Sequence, residues 1–384
     1  MRILIAHSRY LSGPSSGENR MAEDEAKLLS DAGHDVRLWS PEPDVGSKLD
    51  VVKTGASAVW APQKELRSRI RKHRAQVVHF HNLFPTLSPA ALRTAHGEGA
   101  AVCITLHNYR LMCLPATFLR DGKVCELCLG KVPWQGVRYK CYRGSAAGSA
   151  ALATSLTLHR SAGTFDRVTR FFAVSGFVRQ KYVDAGFGPE RVRVKANFSW
   201  EAPRRDGAGD YFLYLGRLAP EKGVDTLIQA WRTAPGRLLV VGDGPDAASL
   251  RRDAPPGVEF VGEVQASHVA AIVAKARALL VPSKWYEAAP RGIIEAYAAG
   301  VPVLAGRIGA LVEAVEDDVS GLLLPFDDAD AWAKAAERLM DGGEAERLGA
   351  GAFATWEQKF SPARGLAGLE AAYEEALLAR GTSG

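Results

Sequence analysis

The sequence predicts a parallel α/β protein of two doubly wound domains. Short apolar runs alternate with helix-period segments along the whole chain, the pattern of strands joined by crossover helices. At 384 residues, two domains are the natural expectation, and a hydrophobic content of 47% is enough to fill two cores. Residues 201–210 are polar, carry proline and glycine, and have no pattern. They read as a linker between two series of strands.

Taken in order, residues 3–6 are a strand, and a Gly/Ser loop follows from Gly13 to Gly17. Residues 21–32 form a helix that Gly33 and His34 close, and Val36, Arg37 and Leu38 are the next strand. Residues 77–80, 102–105 and 171–174 continue the first sheet. The second sheet takes residues 211–215, 238–241, 258–261, 278–281 and 301–305. A last helix is expected over residues 363–379. The domains therefore run over 1–198 and 199–362, with 363–384 as a terminal helix.

The most informative segment runs from Trp285 to Ala305. Pro290 suits a first helical position, because it lacks the N–H that would be orphaned there. Gly300 can stop that helix in a left-handed conformation. Glu287 then lies in the loop before the helix and Glu295 projects from its second turn. The backbone N–H groups of Ala288, Ala289 and Arg291 are expected at the helix N-terminus, where partial positive charge favours phosphate.

The first strand of the second domain runs into Gly216-Arg217-Leu218-Ala219-Pro220-Glu221-Lys222-Gly223. Gly216 allows close backbone approach, Arg217 can grip phosphate oxygens bidentately, and Lys222 is a point charge. Gly242-Asp243-Gly244-Pro245 ends the next strand in a tight turn. No Gly-x-Gly-x-x-Gly run joins a strand to a helix, which argues against a nicotinamide dehydrogenase. In the first domain, Thr105-Leu106-His107-Asn108 and His79-Phe80-His81-Asn82 are strand ends, and the second reads as cleft lining.

These segments resemble the retaining glycosyltransferases of family 4, whose fold is GT-B: two Rossmann-like domains with the donor in the cleft between them. The likeness covers nearly the whole chain. Glu287 and Glu295 match the family's Glu-x7-Glu signature, after a strand ending Val281-Pro282-Ser283, with Ala288-Ala289-Pro290 in place of Gly-Phe-Gly. The resemblance implies that Arg217 and Lys222 stabilise the leaving diphosphate. It assigns sugar hydroxyls to Glu287 and His107, and ribose hydroxyls to Glu295. Gly216, Gly17 and residues 288–291 line the donor site. Ser16-Gly17 replaces the usual Gly-Gly of the first loop, and Asn108 stands where the family often has Asp. Val194-Lys195-Ala196-Asn197-Phe198 corresponds to the family's segment at the end of the first domain, and the last helix to one that returns to that domain.

The expected activity is transfer of a sugar from a UDP- or GDP-sugar to a hydroxyl or amine of a glycan, glycolipid or secondary metabolite, with retention and without a divalent metal. A phosphorylase-like member would need a cofactor lysine that is not identifiable here. A non-catalytic nucleotide-sugar-binding protein is the alternative, and the joint presence of Glu287, Glu295, Arg217 and Lys222 weighs against it. Asp328-Ala329-Asp330 imitates a metal motif of another transferase fold, but it precedes a helix and reads as an N-cap.

All five cysteines lie in one region, and four of them, Cys113, Cys125, Cys128 and Cys141, span an insert over residues 113–141. A subset of family 4 has similarly spaced cysteines. Four thiolates with one close pair suit a structural zinc, and reduced buried thiols are the other reading. The net charge of +5 is mild and favours an anionic ligand or surface. Residues 64–74 are a dense basic helix, either solvated or placed against a membrane or anionic acceptor. No nucleic-acid module is recognisable. No apolar run spans a bilayer and residues 1–6 are a strand, so a cytoplasmic protein is expected, with peripheral membrane contact as a further option.

Overall fold

The computed structural model describes residues 1–9, 17–41, 63–84 and 86–381. The chain forms two compact units. The first comprises Met1–Phe118, Glu126–Ala196 and Leu366–Gly384; the second comprises Leu119–Cys125 and Asn197–Gly365.

In the first unit the sheet strands are β1 (Arg2–His7), β2 (Asp35–Trp39), β3 (Val77–Asn82) and β4 (Ala101–Leu106). A short antiparallel hairpin follows, β5 (Leu119–Arg120) and β6 (Lys123–Val124), which groups with the second unit. The sheet is completed by β7 (Arg170–Ala173) and β8 (Val192–Val194), in the order β2-β1-β3-β4-β7-β8 with every pair parallel. Strands β3 and β4 are buried along their whole length, as strands covered on both faces must be. The order reverses between β1 and β3. Ligands of such sheets bind beyond the strand C-termini at that point.

The second unit contains β9 (Tyr211–Leu215), β10 (Leu238–Val241), β11 (Val258–Gly262), β12 (Ala276–Val281), β13 (Val303–Gly306) and β14 (Gly321–Leu324). They form a parallel sheet in the order β11-β10-β9-β12-β13-β14, which reverses between β9 and β12. Phe212, Tyr214, Val240 and Leu280 pack on one face, and Leu213, Val241, Leu279 and Val303 on the other. That alternation is the period of a strand buried on both sides.

Four strands escaped the sequence reading: β8 and β14 of the parallel sheets and the two-residue hairpin strands β5 and β6. The expected linker is also different in the structure. Arg205 N donates to Ala299 O (2.8 Å), and its guanidinium donates to Arg277 O (3.1 Å) and Ala345 O (2.8 Å). Residues 201–210 are thus tied into the second unit by an arginine whose composition alone suggests solvent. The last helix, Pro362–Gly381, begins one residue early and ends two residues late.

Candidate active site

The reversal between β9 and β12 brings together the loops that carry the second unit's motifs. Gly216 and Arg217 follow β9, and Pro220–Lys222 forms a 3₁₀ turn that Gly223 ends at φ 71°. A side chain at Gly223 would place its Cβ 2.0 Å from Pro282 O, in the loop after β12. Lys284 N also donates to Glu221 O (2.9 Å). Glycine here lets two backbones touch. The Gly242-Asp243-Gly244 turn after β10 works in the same way. A Cβ at Gly242 would meet Gly216 O at 1.9 Å, and one at Gly244 would meet Leu218 O at 2.2 Å.

Glu287 is buried at the centre of this arrangement, only 6% exposed. Its Oε1 accepts from Lys222 Nζ (2.7 Å), Ser283 Oγ (2.7 Å) and Trp285 Nε1 (2.8 Å). Burial pushes this carboxyl up, but the Lys222 ammonium and the other donors more than reverse that and hold it below 4.5. Three donors on one oxygen fix the side chain and leave Oε2 as the acceptor for a further donor. Lys222 Nζ also sits 4.9 Å from the Trp285 ring centroid, a cation–π contact. Arg217 is 60% exposed by side chain and pairs with Glu221. Ser283 and Trp285 were not assigned roles from sequence, although both lie inside the segment that carries the signature.

The helix after this loop spans Arg291–Ala298. Pro290 is its N-cap rather than its first residue, with no side-chain cap. Gly300 ends it at φ 71°, as its lack of a Cβ allows. Glu295 Oε1 accepts from Arg291 Nε at 2.7 Å, one turn away. Ala288, Ala289 and Pro290 are half-buried where the loop meets this helix. Asp328 caps Ala329–Arg338 by accepting from Ala331 N (3.1 Å), so the Asp-x-Asp imitation is a helix cap.

In the first unit, Gly17 opens the helix Gly17–Asp31, and the rest of its Gly/Ser loop lies outside the described residues. His107 directly follows β4 and is half-buried in a small pocket that includes His81, Asn82, Asn108, Arg110 and Tyr182. Its Nε2 is 3.0 Å from His81 Nδ1. Burial, then the neighbouring His81, hold the His107 ring well below the ordinary histidine value. Asn108 fills the place of the family's carboxylate; its Nδ2 donates to Glu18 Oε1 (2.9 Å).

His79 is fully buried, 0% exposed, whereas His81, 2% exposed, lines the pocket beside His107. His79 Nδ1 is 2.8 Å from Tyr373 Oη, and its Nε2 is 2.8 Å from Thr105 Oγ1. Glu25 supplies the carboxylate that neighbouring sequence lacks. Its Oε2 lies 3.2 Å from His81 Nε2, and its Oε1 pairs with Lys195 Nζ. A sequence signal for Glu25 existed. It falls on the buried stripe of its helix with Met21, Ala22, Leu28 and Leu29, and a charge on that stripe needs a partner.

No three of the insert cysteines bring their sulfurs within 4.8 Å of one another among the described residues. Cys113, Cys128 and Cys141 belong to the first unit and Cys125 to the second. None of the five cysteines forms a disulfide. Among the described residues, the one set of three metal-type ligands with donor atoms within 4.8 Å of one another is Glu25, His79 and His81. Cys113 is buried, its Sγ accepts from Phe118 N (3.4 Å), and burial pushes its thiol up to about 11. The histidine–glutamate set is no better as a metal site, because Lys195 already neutralises Glu25 and both His79 nitrogens are engaged.

The basic helix spans Lys64–His73. Its two large apolar residues, Leu66 and Ile70, are 0% and 2% exposed, so they serve the core and cannot insert into lipid. No helix among the described residues is long and apolar enough to cross a membrane.

Comparison with known proteins identifies the family. Residues 15–198 match the family model described as Glycosyltransferase Family 4, and residues 209–342 match Glycosyl transferases group 1. A GDP-mannose-dependent alpha-mannosyltransferase of Corynebacterium glutamicum is 31% identical over 380 residues, covering 93% of this chain and 86% of the relative. The chain belongs to glycosyltransferase family 4. A second family relative, phosphatidyl-myo-inositol mannosyltransferase of Mycolicibacterium smegmatis, is 26% identical over 81% of this chain and 77% of its own. Among solved structures, sucrose-phosphate synthase from Thermosynechococcus elongatus superposes with a TM-score of 0.69 at 21% identity, covering 98% of this chain and 100% of that one. An Anabaena protein in complex with UDP gives 0.63 at 18% identity, covering 97% and 99%. The two parallel sheets are those of the GT-B fold, and this family member is a glycosyltransferase.

Proposed function

We propose that this enzyme transfers mannose from GDP-mannose, with retention of configuration, to a hydroxyl of a glycan or glycolipid acceptor. The observation that carries the reading is the convergence of Lys222, Glu287 and the Arg291–Ala298 N-terminus at the second sheet's reversal. The relatives named for GDP-mannose and for a phosphatidylinositol acceptor support the choice of donor and acceptor class.

The chemistry follows from charge. As the C1–O bond to the β-phosphate breaks, negative charge builds on the leaving diphosphate. Arg217, Lys222 and the helix N-terminus supply fixed positive potential where that charge develops. The acceptor oxygen forms its bond to C1 on the same face, and its proton passes to the departing phosphate oxygen. No protein base and no divalent ion is required. Glu287 Oε2 accepts a sugar hydroxyl, and Glu295 the ribose hydroxyls. Contact with an anionic membrane surface would be electrostatic, through the exposed Lys64, Arg69 and Lys72.

The test is GDP and UDP release measured by chromatography with a panel of nucleotide sugars and a phosphoinositide or glycan acceptor. GDP formation that depends on acceptor supports the reading. A preference for a UDP-sugar would overturn the donor, and absence of any nucleotide release would overturn the function.

A further inference from the structure

The pocket after β4 is lined by Arg110, whose guanidinium is only partly engaged. Arg110 N donates to Asn108 Oδ1 (2.9 Å), and Arg110 Nη1 donates to Leu114 O. Its Nε and Nη2 have no hydrogen-bond partner among the described residues. Those two nitrogens share one edge of the guanidinium. The same edge of Arg71 grips both oxygens of Glu98, with Nε at 2.6 Å and Nη2 at 3.1 Å.

A second guanidinium lies close by. The Tyr142 ring centroid is 5.4 Å from Arg110 Cζ and 5.3 Å from Arg143 Cζ. That ring is itself held in place. Tyr142 N donates to Ser149 Oγ (2.9 Å), Ser145 N donates to Tyr142 O (3.0 Å), and a Cβ on Gly148 would stand 3.3 Å from Tyr142 Cδ1. One fixed aromatic ring therefore gathers two like charges, each attracted by its π-system.

The chain supplies no counter-charge for them. Residues 99–120 and 127–165, which carry both arginines, contain no aspartate or glutamate, although the whole chain has 43. Neither arginine forms an ion pair among the described residues. Glu18, whose Oε1 accepts from Asn108 Nδ2 (2.9 Å), pairs with neither. Lys181 of the same unit, by contrast, is matched by Glu126 at 2.7 Å.

We propose that this pocket binds the acceptor through a phosphate group, gripped by the Nε–Nη2 edge of Arg110, with Arg143 beside Tyr142 as the second positive charge. A phosphate fits better than a carboxylate, because two guanidinium charges stand to be matched and the open edge offers two parallel donors. The phosphate belongs either to a lipid headgroup or to a soluble phosphorylated acceptor. The inference rests on the sugar-transfer reading only in calling its bearer the acceptor.

The site can be titrated without turnover. Wild-type protein is first saturated with GDP, and inorganic phosphate is then added while ¹H–¹⁵N spectra follow the arginine Nε–H signals. Arg110→Lys, which keeps the charge, identifies the Arg110 signal by its loss. A saturable shift of that signal is expected. Arg110→Gln should weaken phosphate binding about 10- to 100-fold, the loss of charge-assisted hydrogen bonds. Arg143→Gln should weaken it about two- to fivefold, as for one exposed charge. An Arg110 signal that stays still, or that moves equally with acetate at the same ionic strength, would overturn the proposal. Should Arg110→Gln fail to fold, the wild-type signal still decides. Vesicles separate the two sources. Sedimentation with phosphatidylcholine vesicles containing phosphatidylinositol, lost in Arg110→Gln and displaced by inorganic phosphate, would place the phosphate on a lipid headgroup. The same Arg110 shift without vesicle binding would place it on a soluble acceptor, and either result supports the site. Wild-type protein that releases no GDP from GDP-mannose would count against the donor assignment and leave the phosphate titration intact.

Discussion

Replacing Lys222 by methionine keeps most of the side chain's volume and removes its charge. In the wild type, Lys222 Nζ sits 2.7 Å from Glu287 Oε1, with the lysine side chain 23% exposed and the glutamate side chain 9% exposed. Breaking a wholly buried pair costs about 3–5 kcal/mol, and losing one hydrogen bond to a charged group about 1.5–3 kcal/mol. Ser283 and Trp285 still donate to Glu287 in the variant, and water reaches the lysine position in part. The loss should therefore sit near the lower range, about 2–3 kcal/mol. The pH dependence has a definite sign. The native Glu287 carboxyl is held below its ordinary 4.5, so its contribution is fully present above pH 4.5 and is lost as pH falls through the native value. Without Lys222, burial is the largest remaining influence and raises the native carboxyl. The gap between wild type and Lys222→Met should then be widest near neutral pH and narrow on acidification. Urea unfolding followed by tryptophan fluorescence measures it, since Trp231, Trp332 and Trp356 are buried in the second unit. A gap below about 0.5 kcal/mol at pH 7, the size of an ordinary surface substitution, would refute the reasoning. So would a gap that widens toward pH 4.

Further outcomes follow from the same geometry. Arg217→Ala should leave unfolding unchanged, because the guanidinium is 60% exposed, yet weaken GDP binding by about 1.5–3 kcal/mol in calorimetry; equal affinity would remove Arg217 from the donor site. Gly223→Ala must displace a Cβ that would lie 2.0 Å from Pro282 O at a positive φ, and should cost roughly 2 kcal/mol or more in chemical denaturation. A neutral effect would show that the two loops are not in close contact. His7 is lowered to about 4 by burial, and His79 and His107 lie well below 6.5 for the same leading reason. Their native states refuse protons that the unfolded chain accepts, so first-unit stability should fall as pH drops below 6.5, by up to about 1.4 kcal/mol per pH unit for each ring. A melting temperature that holds or rises between pH 6.5 and 5 would contradict this. Brief EDTA treatment should leave sugar transfer intact. Turnover restored only by magnesium or manganese would reverse that account.

The second unit was legible because its site is written in contiguous stretches. Gly216 to Gly223 follows a strand end and closes in a 3₁₀ turn, and Glu287 to Gly300 holds a loop, a helix start and a glycine stop; local rules specify each of these. The first unit's network was not legible in that way. Glu25, His81, Lys195 and Tyr373 are distant in sequence, and only the parallel sheet brings them together. The one local clue, a glutamate on a core-facing helical stripe, says that a partner exists without saying which. Arg205 misled by composition, since a charged residue in a Pro/Gly segment reads as solvent-exposed until its carbonyl partners are known.

The most direct test of the central claim is the stereochemistry of transfer. Incubation with GDP-mannose and acceptor, followed by proton NMR of the isolated product, reads the new anomeric centre. The account predicts an α-mannoside, the configuration of the donor, formed with equimolar GDP and abolished in Glu287→Gln. A β-linked product, or an α-mannoside formed at the wild-type rate by Glu287→Gln, would contradict it.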